Sequence, residues 1–110
     1  MPGILETDFL HVLADFSFPE KRIVINPNDG LDIGLMMTET VVEIVYGENP
    51  ATYQEGQGYS VYGIVDQRNE CRIGTVELSL KAVERIGRPK RVRLHLLPGG
   101  SYNRLLVAAE

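Results

Sequence analysis

The segment Arg91-Val92-Arg93-Leu94-His95-Leu96 alternates polar and aliphatic residues at every position, the period-two pattern of a half-buried strand. Pro98-Gly99-Gly100-Ser101 supplies a tight turn, and Tyr102 to Ala108 returns as the second arm of a hairpin. With Gly99 and Gly100 at the turn, Leu94 is expected opposite Leu105, Val92 opposite Val107, and His95 opposite Arg104. Val92, Leu94, Leu96, Leu105 and Val107 then form a core face. Arg91, Arg93, His95 and Arg104 share the reverse face, with Tyr102 nearby.

Other strands are expected upstream. Residues 22–26 and 31–37 flank the turn signal Asn26-Pro27-Asn28-Asp29-Gly30, in which Pro fixes φ and Gly and Asn accept positive φ. Thr40 to Tyr46 is rich in β-branched residues, which suit a pleated surface. Tyr59 to Asp66 and Cys71 to Leu80 are separated by the polar stretch 67–70. Residues 81–87 read as one helical turn ended by Gly87. The segment 47–58 is polar, with Gly, Pro, Asn and Gln, and is expected to be a long loop.

The first segment fits two periods. Phe9, Val12, Leu13 and Phe16 fall on one helical face, while Leu10, Val12, Ala14, Phe16 and Phe18 alternate as a strand would. Pro2 and the scarcity of β-branched residues favour a helix over 4–16, with Pro19 ending the element. The expected fold class is therefore α+β. It is a mostly antiparallel sheet of about five to seven strands, curled into a small barrel or carrying one N-terminal helix on a face.

Composition refines this picture. A chain of 110 residues with 44% apolar and 24% charged side chains suits one globular domain, residues 1–110. Cys71 is the sole cysteine, so no internal disulfide forms and a reducing, cytoplasmic location is expected. No apolar run reaches the ~20 residues of a membrane span, and no membrane association is expected. The net charge of −4 is split: residues 1–58 carry ten acids against two bases, and residues 59–110 carry nine bases against five acids. Such a division points to an anionic partner for the basic part, or to attraction between the halves within one chain or between subunits.

Two candidate surfaces follow. Arg91, Arg93, His95, Arg104, Tyr102 and Lys90 form a basic hairpin face suited to an anion or a protein partner, since guanidinium forks match phosphate and carboxylate. The alternative is an ordinary solvated sheet face. Tyr53, Glu48, Glu55 and Tyr59 mark the loop region, where tyrosine offers contact area at low entropic cost. Catalytic signatures are lacking: no metal-ligand spacing, P-loop, dinucleotide fingerprint or Gly-x-Ser-x-Gly occurs. No cofactor or metal is expected. An active site assembled from distant residues would pair His95 with Glu43 or Glu55.

Gly63-Ile64-Val65-Asp66 followed by Ile73-Gly74-Thr75-Val76 resembles the strand-turn-strand opening of PRC-barrel domains, small β-barrels that serve as interaction modules. The resemblance covers residues 63 to 76 and implies a hairpin there.

Three readings emerge. The leading one is a non-enzymatic binding or assembly module, a homo-oligomer with charge-complementary surfaces whose C-terminal hairpin offers an open edge. The second is a binder of nucleic acid or another anionic ligand through that hairpin. The third is a small-ligand pocket or enzyme beneath the 47–58 loop.

Overall fold

The computed structural model describes residues 4–15, 17, 19, 21–54 and 58–110. Among these residues eight strands and two short helices follow in chain order: β1 (Leu5–Glu6), β2 (Leu10–Asp15), β3 (Arg22–Ile25), α1 (Pro27–Asp32), β4 (Glu39–Tyr46), β5 (Tyr59–Gln67), β6 (Thr75–Ser79), α2 (Leu80–Arg85), β7 (Arg91–Leu97) and β8 (Arg104–Ala109). The strand order is β7-β2-β6-β3-β5-β4-β8, and β8 pairs back onto β7. The result is a closed barrel of seven strands, with β1 as an additional short strand along β7.

This corrects the expected α+β class. The fold is mostly β, and the described residues 4–15 do not form the N-terminal helix expected over 4–16. Leu10 is fully buried and Val12 packs on the core, whereas Leu13 is exposed. The strand period thus prevails over the helical one. The reason is non-local: β2 runs parallel to β6 from His11↔Thr75 to Asp15↔Ser79 and antiparallel to β7 at Leu10↔Val92. A helix there would leave the ladder groups of both neighbours unpaired, and local propensity is a weak preference beside that cost. Phe16 and Phe18, which entered both patterns, lie outside the described residues.

The sheet also departs from a mostly antiparallel plan. Parallel pairs β2–β6, β3–β5 and β4–β8 alternate with antiparallel pairs around the barrel. β7 alone is antiparallel to both barrel neighbours. β3 lies between β5 and β6, so those two strands do not form the hairpin that the PRC-barrel resemblance implies.

Residues 31–37 are not a strand either. Asn26 caps α1, its side-chain oxygen accepting from the Asn28 N–H at 2.8 Å, with Pro27 in the first turn. Proline at that position is preorganised for a helix. α2 is capped by Ser79, whose Oγ accepts from the Ala82 N–H at 3.0 Å. Gly87 ends that turn with φ +86°.

Inward-facing aliphatics fill the barrel. Ile23, Ile25, Val42, Ile44, Val65, Val76, Leu78, Leu94 and Leu105 are fully buried in one cluster, which Ile33, Leu35, Ala82 and Val83 join from the connections. The hairpin register differs from expectation by two residues: Leu94 pairs with Val107, Leu96 with Leu105, and Leu97 with Arg104. Its loop is longer than the Gly-Gly turn. A shift of two preserves which face each side chain occupies, so Val92, Leu94, Leu96, Leu105 and Val107 are all buried as core.

Candidate functional site

The outer face of the C-terminal hairpin is not an open arginine surface. Among its outward residues, His95, Leu106 and Ala108 are buried. Arg91 is ion-paired with Glu110, with its Nε 2.7 Å from Oε1. Arg93 lies 3.5 Å from Glu6 and 4.4 Å from the centre of the Phe9 ring. Arg104 bonds Glu43 at 3.2 Å. Lys90 is exposed on the approach to β7. The acidic and basic halves therefore meet within the chain, Glu6 with Arg93 and Glu43 with Arg104. β7 and β8 each have partners on both sides, so the open edge expected to drive assembly is absent.

Among the described residues no hydrogen bond or ion pair joins His95 to Glu43. The His95 Nδ1 lies 3.3 Å from Glu6 Oε1, outside hydrogen-bond geometry, and has no other partner among the described residues. Burial lowers the imidazole pKa; the Glu6 carboxylate opposes that shift and Arg93 adds to it.

The second expected surface is divided. Tyr59 is half-buried, stacks with Tyr46 at 6.4 Å, and carries the Arg85 guanidinium 3.5 Å above its ring. Tyr53 and Glu48 are half-buried, and Glu55 lies outside the described residues. The loop is braced locally by Asn49, whose Oδ1 accepts from the Ala51 and Thr52 N–H groups. None of five clefts on the described surface draws a lining residue from 47–58.

A different site stands out on the outer face of β4 and β5. Strand alternation points Val41 of β4 and Tyr62, Ile64 and Asp66 of β5 away from the core. The register sets Val41 beside Ile64, Glu43 beside Tyr62, and Glu39 beside Asp66. Val41, Tyr62 and Ile64 are 46%, 61% and 38% exposed, an apolar strip where an antiparallel pair normally turns polar residues to water. Tyr102 extends it by meeting Tyr62 edge-on at 5.7 Å. The start of β3 forms a wall: Lys21 O accepts from the Ile64 N–H at 2.8 Å. A Cβ on Gly63 would lie 2.2 Å from that same oxygen, so only glycine permits the approach. The groove so formed has a volume of about 500 Å³ and includes Pro19, Lys21, Arg22, Glu39 and Arg68 in its lining.

One end of the strip carries an ion cluster. Asp66 is 1% exposed, and its Oδ2 accepts from Arg22 at 2.6 Å and from Arg68 Nε at 3.0 Å. Its Oδ1 is buried without a hydrogen-bond partner among the described residues. The other end is flanked by the Glu43–Arg104 pair. The sequence reading missed Lys21, Arg22, Val41, Ile64, Asp66 and Arg68. The available signal was Tyr62-Gly63-Ile64-Val65-Asp66, where apolar residues fall on both faces of one strand and an acid closes the run.

A second cleft, about 680 Å³, includes Asp8, Phe9, His11, Asp29, Arg72 and Ile73 in its lining. Asp29 accepts from the Gly74 N–H at 2.9 Å, and burial raises its pKa. No hydrogen bond or ion pair joins His11 to Asp8 or Asp29 among the described residues, so no acid–base pair is built there. Among the described residues no three His, Cys, Asp or Glu side chains are grouped to hold a metal ion. No described helix is long and apolar enough to cross a membrane.

Comparison with protein-family models, curated proteins and solved structures finds no match to this chain. The likeness to PRC-barrel domains accordingly carries no argument.

Proposed function

We propose that this chain is a non-enzymatic binding module in which a rigid barrel presents the β4–β5 groove to a small amphipathic ligand. The observation that supports it most is the exposed strip of Val41, Tyr62 and Ile64 set within a concave space of about 500 Å³. Ligand sites typically enclose ~300–1,000 Å³ with an apolar lining and a few placed polar groups. A strip on paired strands is held by the ladder on both sides, so little order has to be gained on binding. The basic hairpin is a weaker candidate for nucleic acid, because Arg91, Arg93 and Arg104 are committed to carboxylates of the same chain. A polyanion would have to displace those partners.

The test is an amide chemical-shift titration with 1-octanol, a neutral probe of the apolar lining. Shifts are expected to concentrate on residues 41 and 62–64 and to vanish in Ile64→Asp. Shifts centred instead on Met36 and Met37, or no saturable shifts, overturn the reading.

A further inference from the structure

We infer that the groove is selective for a small carboxylate bearing an unbranched or aromatic apolar body of about eight carbons. This rests on the binding-module reading and names its ligand class. The argument begins with Asp66. A buried carboxylate with one oxygen unpartnered is costly, so it is poorly explained as a device for stability. What it achieves is positional: it draws Arg22 and Arg68 to one end of an otherwise apolar strip.

Arg68 is the ligand-facing member of this cluster. Its side chain is 48% exposed, and its Nε and Nη2 both face Asp66 Oδ2 at 3.0 Å. A guanidinium carries five N–H donors in a fixed fork, so donors remain for a second acceptor while Asp66 fixes the plane. Pre-ordering of this kind reduces the entropy lost on binding an anion. Lys21 is exposed on the groove wall. Among the described residues the charged lining comprises three cations, Lys21, Arg22 and Arg68, against two carboxylates, Glu39 and Asp66.

The dimensions select the body. Tyr62 and Asp66 are four residues apart on β5, and at ~3.3 Å per residue the strip between them runs about 13 Å. Tetrahedral carbon chains with bonds of ~1.52 Å advance roughly 1.25 Å per carbon, so an eight-carbon acid with its head at Arg68 lays its tail over Ile64 and Val41 and ends at Tyr62. The neutral alcohol of the same length shares the tail contacts and lacks the charge-assisted bonds, which are about twice as strong as neutral ones.

The experiment compares octanoate, 1-octanol and octylammonium by chemical-shift titration at pH 7, for the wild type and Arg68→Gln. Octanoate is expected to bind about tenfold or more tightly than octanol, and octylammonium more weakly than octanol. Arg68→Gln is expected to bring octanoate to the level of octanol, with octanol affinity falling much less than octanoate affinity, and a dispersed amide spectrum shows that the variant is folded. The inference is overturned if octanoate binds no tighter than octanol, or if Arg68→Gln weakens both alike. Failure of octanol itself to bind would instead remove the groove as a site.

Discussion

Gly63→Ala tests how closely β3 must approach the groove. The added methyl would sit 2.2 Å from Lys21 O and 2.8 Å from Ile44 Cδ1, where ordinary contact begins at 3.4 Å. The chain preceding β3 must therefore retreat by about 1.2 Å, because the nearest atom is backbone. Overpacking of this kind costs ~1–3 kcal/mol. The retreat also breaks the 2.8 Å bond from the Ile64 N–H to Lys21 O, worth a further ~0.5–1.5 kcal/mol. The combined loss is about 1.5–4.5 kcal/mol, or a fall in Tm of roughly 8–27 °C for a domain of this size. Urea unfolding reads it as a lowered midpoint with unchanged slope. Gly100→Ala is the matched control: no atom of the described residues lies within 4 Å of its added methyl, and the change should stay within about 0.5 kcal/mol. If Gly63→Ala is as mild as Gly100→Ala, the close packing of the groove wall is refuted.

Two further outcomes follow from buried groups. His95 has a lowered pKa in the folded chain, so the unfolded chain takes up the proton first as pH falls through about 6.5. Stability is then lost between that value and the lower folded one. Urea midpoints from pH 8 to 5 should fall more for the wild type than for His95→Gln, and equal losses would contradict the burial argument. Cys71 is 2% exposed, and burial with the nearby Glu77 and Asp29 carboxylates raises its thiol pKa to about 11. Reaction with a disulfide reagent at pH 8 should therefore await unfolding. Labelling at the rate of a free peptide thiol in native buffer would count against the placement.

The sequence disclosed what local periodicity can encode. The aliphatic flank of the C-terminal hairpin was legible because a period-two pattern fixes the face even when the register is off by two. The α2 turn was legible from its closing glycine. Residues 10–15 carry no decisive local signal because their strand character comes from β6 and β7, partners far along the chain. Asn26 and Pro27 fit a turn and a helix start equally well, so the pair alone does not separate α1 from a turn. Arg91, Arg93 and Arg104 promised an anion face, but only the fold reveals that Glu110, Glu6 and Glu43 meet them. The groove escaped notice because it joins three elements: the start of β3, the outer side of β4, and a β5 strand that is apolar on both faces.

The most direct test of the groove as a recognition surface is a crystal structure of the protein grown with octanoate. The carboxylate is expected within hydrogen-bond distance of the Arg68 guanidinium, with the alkyl chain lying across Ile64 and Val41 toward Tyr62. Octanoate ordered only at another surface, such as the cleft beside His11 or the exposed Met36–Met37 pair, would contradict it.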